Sequence, residues 1–217
     1  MKKIYFFKIP ESFNIFSYPK IIAMFTEERL EKPPLMPQIK HTASLLGEAA
    51  VKIIAYTKFK CDGGQINIER DDNGKPYLKD FPDFYFNISH SENAVAIAFS
   101  ETPVGIDIEK LGAPNFKVAK RFFTKSEKEY IKNSNNPDFS FYEIWTAKEA
   151  YFKRSGKGIG PDFFKISVKD KDTGKSITTF KKNEFIVSLC AESPKSFEII
   201  DLDEDFFKLC KYNNVNH

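Results

Sequence analysis

The sequence predicts an α+β protein of two similar subdomains, residues 1–101 and 102–217, and three observations predict it. Helical periodicity runs from Thr42 to Tyr56, and again from Phe141 to Arg154. Short apolar runs of strand length, bounded by turn residues, accompany each helix. Between the two halves, near Ser100–Pro103, a proline interrupts the strand-like pattern.

In the first half, Leu45, Leu46, Ala49, Ala50, Ile53 and Ile54 fall in pairs four apart, which is one face of a helix. Gln65–Arg70 alternates polar and apolar residues and reads as a strand, followed by a turn at Asp71-Asp72-Asn73-Gly74. Phe84–Ile88 and Ala94–Phe99 read as strands joined by a polar turn, Ser89–Asn93. In the second half Val104–Glu109 reads as a strand and Asn115–Phe123 as a helix. Thr124 and Glu127 form a capping box for a helix running to Lys132. Asn133–Pro137 is a loop, and Ser155–Gly158 ends the long helix, because glycine accepts the left-handed cap. Phe164–Val168, Glu184–Cys190, Phe197–Leu202 and Phe206–Leu209 are strand-like. No repeat of about 20–50 residues occurs, which excludes a solenoid.

With 41% apolar and 29% charged residues the composition is that of a soluble globular chain. A net charge of +3 is too mild to point to nucleic acid. No apolar run approaches the roughly 18 residues of a membrane span, and Lys8 interrupts any signal-peptide core. Cys61, Cys190 and Cys210 have no metal spacing and are odd in number, which fits free thiols in a reducing, cytoplasmic compartment.

Chemistry has four places to sit. Strand alternation puts Asp107 and Glu109 on one face and Ile106 and Ile108 on the other. Neighbouring carboxylates repel unless a cation lies between them, and magnesium suits hard oxygen ligands. Alone, the pair reads first as a half-exposed strand with two solvated acids. Glu149 borders the mostly apolar helix stripe of Phe141, Ile144, Trp145, Lys148 and Phe152, one turn before Lys153. Alone, it reads as an ordinary helix-surface pair with Lys153. His90, in Asn87-Ile88-Ser89-His90-Ser91, can donate to a phosphate oxygen or stand as a surface histidine. Arg29, Lys32, Lys40, His41 and Lys75 are basic and loosely placed. No glycine-rich phosphate loop and no nucleophile elbow occurs.

Taken together, Phe86-Asn-Ile-Ser-His90-Ser91, Val104-Gly-Ile-Asp-Ile-Glu109, Arg121-Phe-Phe-Thr, and Trp145-Thr-Ala-Lys-Glu149-Ala-Tyr-Phe-Lys153 with Gly156-Lys-Gly158 form an ordered set. With weaker likeness at Leu45-Leu46-Gly47-Glu48 and Gly74-Lys75-Pro76, the set resembles the 4'-phosphopantetheinyl transferases of the surfactin-synthetase-activating type. The likeness covers about residues 25–165. It implies a pseudo-twofold pair of α+β subdomains with coenzyme A between them. It implies magnesium-dependent transfer of phosphopantetheine to a serine of an acyl- or peptidyl-carrier protein, giving holo-carrier and adenosine 3',5'-bisphosphate. On the matching positions, Asp107, Glu109 and Glu149 are the implied magnesium ligands, with Glu149 also the base. Lys153 and His90 are the implied diphosphate contacts and Ser89 a neighbour. Lys75 and Ser44 are implied at the nucleotide end.

The sequence departs from the family where an arginine often grips the 3'-phosphate. Ala43 stands there, leaving Arg29, Lys32, Lys40 or His41 as substitutes, and the proline-rich Glu31–Pro37 stretch is unlike the expected form. Rival readings are a magnesium-dependent phosphohydrolase or nucleotidyl enzyme, and a coenzyme A or carrier binder without turnover. Lys117, Lys120 and Arg121, beside Phe116–Phe123, form the expected docking patch for an acidic carrier. Length and the two-subdomain likeness favour a monomer.

Overall fold

The computed structural model describes residues 1–31, 33, 35–60, 66–158, 160, 162–202 and 206. Two sheets carry the fold. The first is four-stranded, in the order β4 (Tyr85–Ser91), β5 (Ala94–Ser100), β1 (Lys3–Lys8), β9 (Glu198–Asp201). The β5 strand pairs antiparallel with both β4 and β1, whereas β9 runs parallel to β1. The second sheet is antiparallel and three-stranded, in the order β6 (Gly105–Lys110), β8 (Phe185–Cys190), β7 (Ile177–Lys182). A small hairpin joins β2 (Ile68–Arg70) to β3 (Pro76–Leu78).

The long helices are α3 (Gln38–Phe59) and α6 (Pro137–Ser155). Shorter ones are α1 (Pro19–Ile22), α2 (Glu27–Leu30), α4 (Phe116–Phe122), α5 (Lys125–Lys132) and α7 (Lys171–Gly174). The α+β architecture of paired subdomains is therefore as the sequence predicts. The Thr124–Glu127 capping box is present, with both reciprocal bonds made. Gly156 closes α6 in the left-handed conformation, φ 72°.

The β5 strand shows how one sequence serves two cores. Val95, Ile97 and Phe99 pack with Leu45, Leu46, Ala49 and Ala50 of α3. Ala94, Ala96 and Ala98 point the other way, toward Ile106, Ile108, Val187 and Leu189 of the second sheet. Small residues on that face let the two sheets approach. A third core joins α4, α5 and α6 through Ala119, Phe123, Ile131, Phe141 and Ile144.

Three expectations are corrected. Ser89–Asn93 is not a turn: β4 continues to Ser91, and only Glu92 and Asn93 make the bend, with Glu92 at φ 51°. The polar residues of β4 face a polar seam rather than solvent, which hid the strand. Phe164–Val168 is turn structure, tied down by side chains rather than by a ladder. The strands β1 and β7 were not anticipated. Gln65 and the Leu209 end of the last strand-like run lie outside the described residues.

Candidate active site

Among the described residues, β4 and β6 share no backbone ladder, although they lie side by side. Side chains of β4 bridge the gap instead. Asn87 Oδ1 accepts from the Ile106 N–H at 2.8 Å, and Ser91 Oγ accepts from the Lys110 N–H at 3.1 Å. The seam is thus wider than a hydrogen-bonded strand pair, and α6 lies across it. Gly105 permits this approach: a Cβ there would stand 2.0 Å from the Ala150 carbonyl oxygen of α6.

The acids and the lysine predicted from sequence meet on this seam. Lys153 Nζ donates to Asp107 Oδ1 at 2.6 Å and to Ser89 Oγ at 2.9 Å. Ser89 Oγ donates to the same Asp107 oxygen at 2.8 Å. Asp107 is 4% exposed, and its Oδ2 is buried with no hydrogen-bond partner among the described residues. Ser91 Oγ donates to Glu109 Oε2 at 2.9 Å.

Burial pushes the Glu149 carboxyl up to about 7, reinforced by the charges of Asp107 and Glu109 and opposed by Lys153. Burial and the Asp107 charge also raise Glu109, against hydrogen bonds from Ser91 and Trp145. Two acids held above the usual carboxylate range, beside a third buried carboxylate, are a donor set short of positive charge. Oxygen donors of this kind, with one orphaned buried oxygen, fit a hard divalent cation. Among the described residues no three of His, Cys, Asp or Glu already converge as a closed ligand group.

His90 points to the other face of β4 from Ser89 and Ser91. Burial lowers its pKa, and the charges of Lys153 and Lys40 lower it further. Its Nδ1 is buried and has no partner among the described residues. An imidazole in the field of the Lys153 and Lys40 charges is suited to an incoming anion.

The remaining predicted residues sit in two other clusters. Arg29 bonds Ser44 at 2.8 Å and grips both oxygens of Glu48, which Arg70 also holds at 3.0 Å. Lys75 Nζ donates to Arg154 O at 2.8 Å and Val104 O at 3.3 Å, capping the end of α6, and burial lowers its pKa to about 8. Lys32 lies outside the described residues. Sequence reading assigned no role to Asn87, Ser91 or Arg70. The polar-every-second pattern at 87, 89 and 91, matched to the 107 and 109 spacing, was the available signal for the first two.

Comparison with known proteins bears on this seam. A model of the 4'-phosphopantetheinyl transferase superfamily matches residues 103–205, and one of the 4'-phosphopantetheinyl transferase N-terminal region matches residues 26–102. The 4'-phosphopantetheinyl transferase gsp of Aneurinibacillus migulanus is 34% identical over 164 residues, 73% of this chain and 68% of that one. The chain belongs to the 4'-phosphopantetheinyl transferase superfamily. Within it, the 4'-phosphopantetheinyl transferase Sfp of Bacillus subtilis (strain 168) is 36% identical over 134 residues, 61% of this chain. The L-aminoadipate-semialdehyde dehydrogenase-phosphopantetheinyl transferase of Mus musculus is 33% identical over 185 residues, 76% of this chain. The match spans 60% of the length of the Bacillus subtilis transferase and 59% of the mouse one. Among the described residues, no helix is long and apolar enough to cross a membrane.

Proposed function

We propose that this chain transfers the phosphopantetheine arm of coenzyme A to a serine of an acyl- or peptidyl-carrier domain, releasing adenosine 3',5'-bisphosphate. The observation that carries this reading is the meeting of Asp107, Glu109, Glu149, Ser89 and Lys153 at one seam. The carrier serine oxygen forms a bond to the β-phosphorus while the bond from that phosphorus to the bridging oxygen breaks. The serine proton would pass to Glu149, directly or through water, as the general base. Lys153, and His90 from the other face of β4, would stabilise the charge that builds on the leaving oxygens. Asp107, Glu109 and Glu149 would hold magnesium, which supplies further charge neutralisation to the diphosphate.

The Arg29–Ser44–Glu48–Arg70 cluster offers guanidinium groups to the nucleotide end in place of the arginine absent at Ala43. Residues 1–101 and 102–217 each supply one side of the seam, so a monomer is complete. A cytoplasmic site suits Cys190, a buried free thiol. For the carrier, a groove of about 420 Å³ runs between α4, α5 and the start of α6. Phe116, Ala119, Ile131 and Pro137 line it, with Lys120, Lys128 and Lys132. Apolar floor and basic rim suit an acidic amphipathic helix. Reversing Lys120 and Lys128 to Glu should raise the carrier KM about tenfold without moving that for coenzyme A. An unmoved carrier KM would remove this groove from the reading.

The deciding experiment is incubation with coenzyme A, magnesium and an apo carrier protein, followed by mass spectrometry of the carrier. A gain of one phosphopantetheine, abolished by EDTA, is expected. Free phosphopantetheine with unmodified carrier would favour a hydrolase instead.

A further inference from the structure

Ser91 stands two residues after Ser89 on β4, and Glu109 two residues after Asp107 on β6. The two serines therefore meet the two acids in register. The buried Ser91 hydroxyl makes two bonds of opposite sense. It accepts from the Lys110 N–H at 3.1 Å and donates to Glu109 Oε2 at 2.9 Å. A hydroxyl has a single proton. The Lys110 N–H approaches its lone pairs, which leaves that proton for Glu109. Lys110 belongs to the strand that carries Glu109, so one serine ties the carboxylate to its own backbone.

We propose that Ser91 is a positioning residue that aims the Glu109 carboxylate at the seam, as Ser89 does for Asp107. The inference rests on the reading of Glu109 as a metal ligand. Groups that orient a ligand typically change metal affinity about 10–100-fold when removed. Lys110 N–H alone would also lose its partner in an alanine variant, so the carboxylate and its strand both lose their reference point.

The test is Mn2+ binding to the full chain with coenzyme A present, followed by titration calorimetry and by tryptophan fluorescence. Trp145, the chain's sole tryptophan, is near enough to Glu109 to lower its pKa. Ser91→Ala should weaken Mn2+ binding about tenfold, with Ser91→Thr restoring it and thermal unfolding little changed. If Ser91→Ala does not fold, Ser91→Cys fills the space with a weaker donor and should show the same loss. Wild-type Mn2+ affinity in the folded Ser91→Ala or Ser91→Cys variant would overturn the inference while leaving the metal reading intact. A wild-type chain that binds no Mn2+ would overturn the metal reading, and the inference with it.

Discussion

The two long helices do the same architectural work with opposite chemistry. The inward face of α3 is built from Ala43, Leu45, Leu46, Ala49 and Ala50, and its buried acid, Glu48, is held by two arginines. The face of α6 toward the seam carries Glu149 and Lys153, and next to them Lys148 is fully buried. Lys148 bonds both oxygens of the equally buried Glu127, at 3.1 and 3.3 Å, and also the Ile166 carbonyl. Glu127 in turn holds the Val168 and Thr124 N–H groups. One half spends its helix on apolar burial. The other accepts desolvated charge, and the acids left underpartnered are those at the seam.

The strongest way to sharpen this contrast is Glu149→Gln. Transfer should fall about a thousandfold, with the thermal midpoint of the metal-free chain unchanged or raised, since one member of a repelling trio is gone. Near-normal turnover would show that Glu149 is neither base nor ligand. Next is Lys148→Met, which strands Glu127 in the core. Urea unfolding should register a loss of about 3–5 kcal/mol, whereas a loss below that range would mean that the pair is relieved by water.

Glycines probe the same contrast more gently. Gly105→Ala puts a methyl 2.0 Å from an α6 carbonyl oxygen and 2.4 Å from the Arg154 nitrogen, both backbone atoms. Gly47→Ala on α3 meets side chains only, Ile88 at 2.8 Å and Val95 at 3.5 Å, rather than backbone. The first should cost about 1–3 kcal/mol and reduce transfer, because α6 is pushed off the seam. The second should cost less and leave transfer near wild type. Equal costs would deny that α6 is the more closely seated helix.

The smallest effect expected is one of pH. Lys75 has a pKa of about 8 in the folded chain and an ordinary lysine value when unfolded. Between about 8 and 10.4 the unfolded chain binds more protons, so stability should rise with pH across that window. Lys75→Met should remove the rise, which thermal melts from pH 7 to 10 would detect.

Much of this was legible in the sequence, and the reasons are local. The α3 and α6 patterns, the Thr124–Glu127 box and the Asp107/Glu109 alternation depend on near neighbours and survive into the fold. The strand character of Ser89–Ser91 was not legible, because its polar residues face a polar seam that only the packing of β4 on β6 creates. Nor was Lys148: placed in an apolar stripe, it gave no sign that Glu127 would reach it from another helix. Lys75 shows a third case: its bonds to the Arg154 and Val104 carbonyls, which cap α6, link residues far apart in sequence.

The pairing of β9 with β1 carries a consequence for how the chain is made. The outer edge of β1 finds its neighbour at Glu198–Asp201, far along the sequence from β1 itself. During synthesis the first half can assemble β4, β5 and α3 around β1 long before that edge strand leaves the ribosome. Until then β1 offers a row of unpaired amides to any passing strand. A chain halted near residue 101 would thus be an aggregation hazard rather than a free-standing module, and release of β9 is the event that covers the β1 edge.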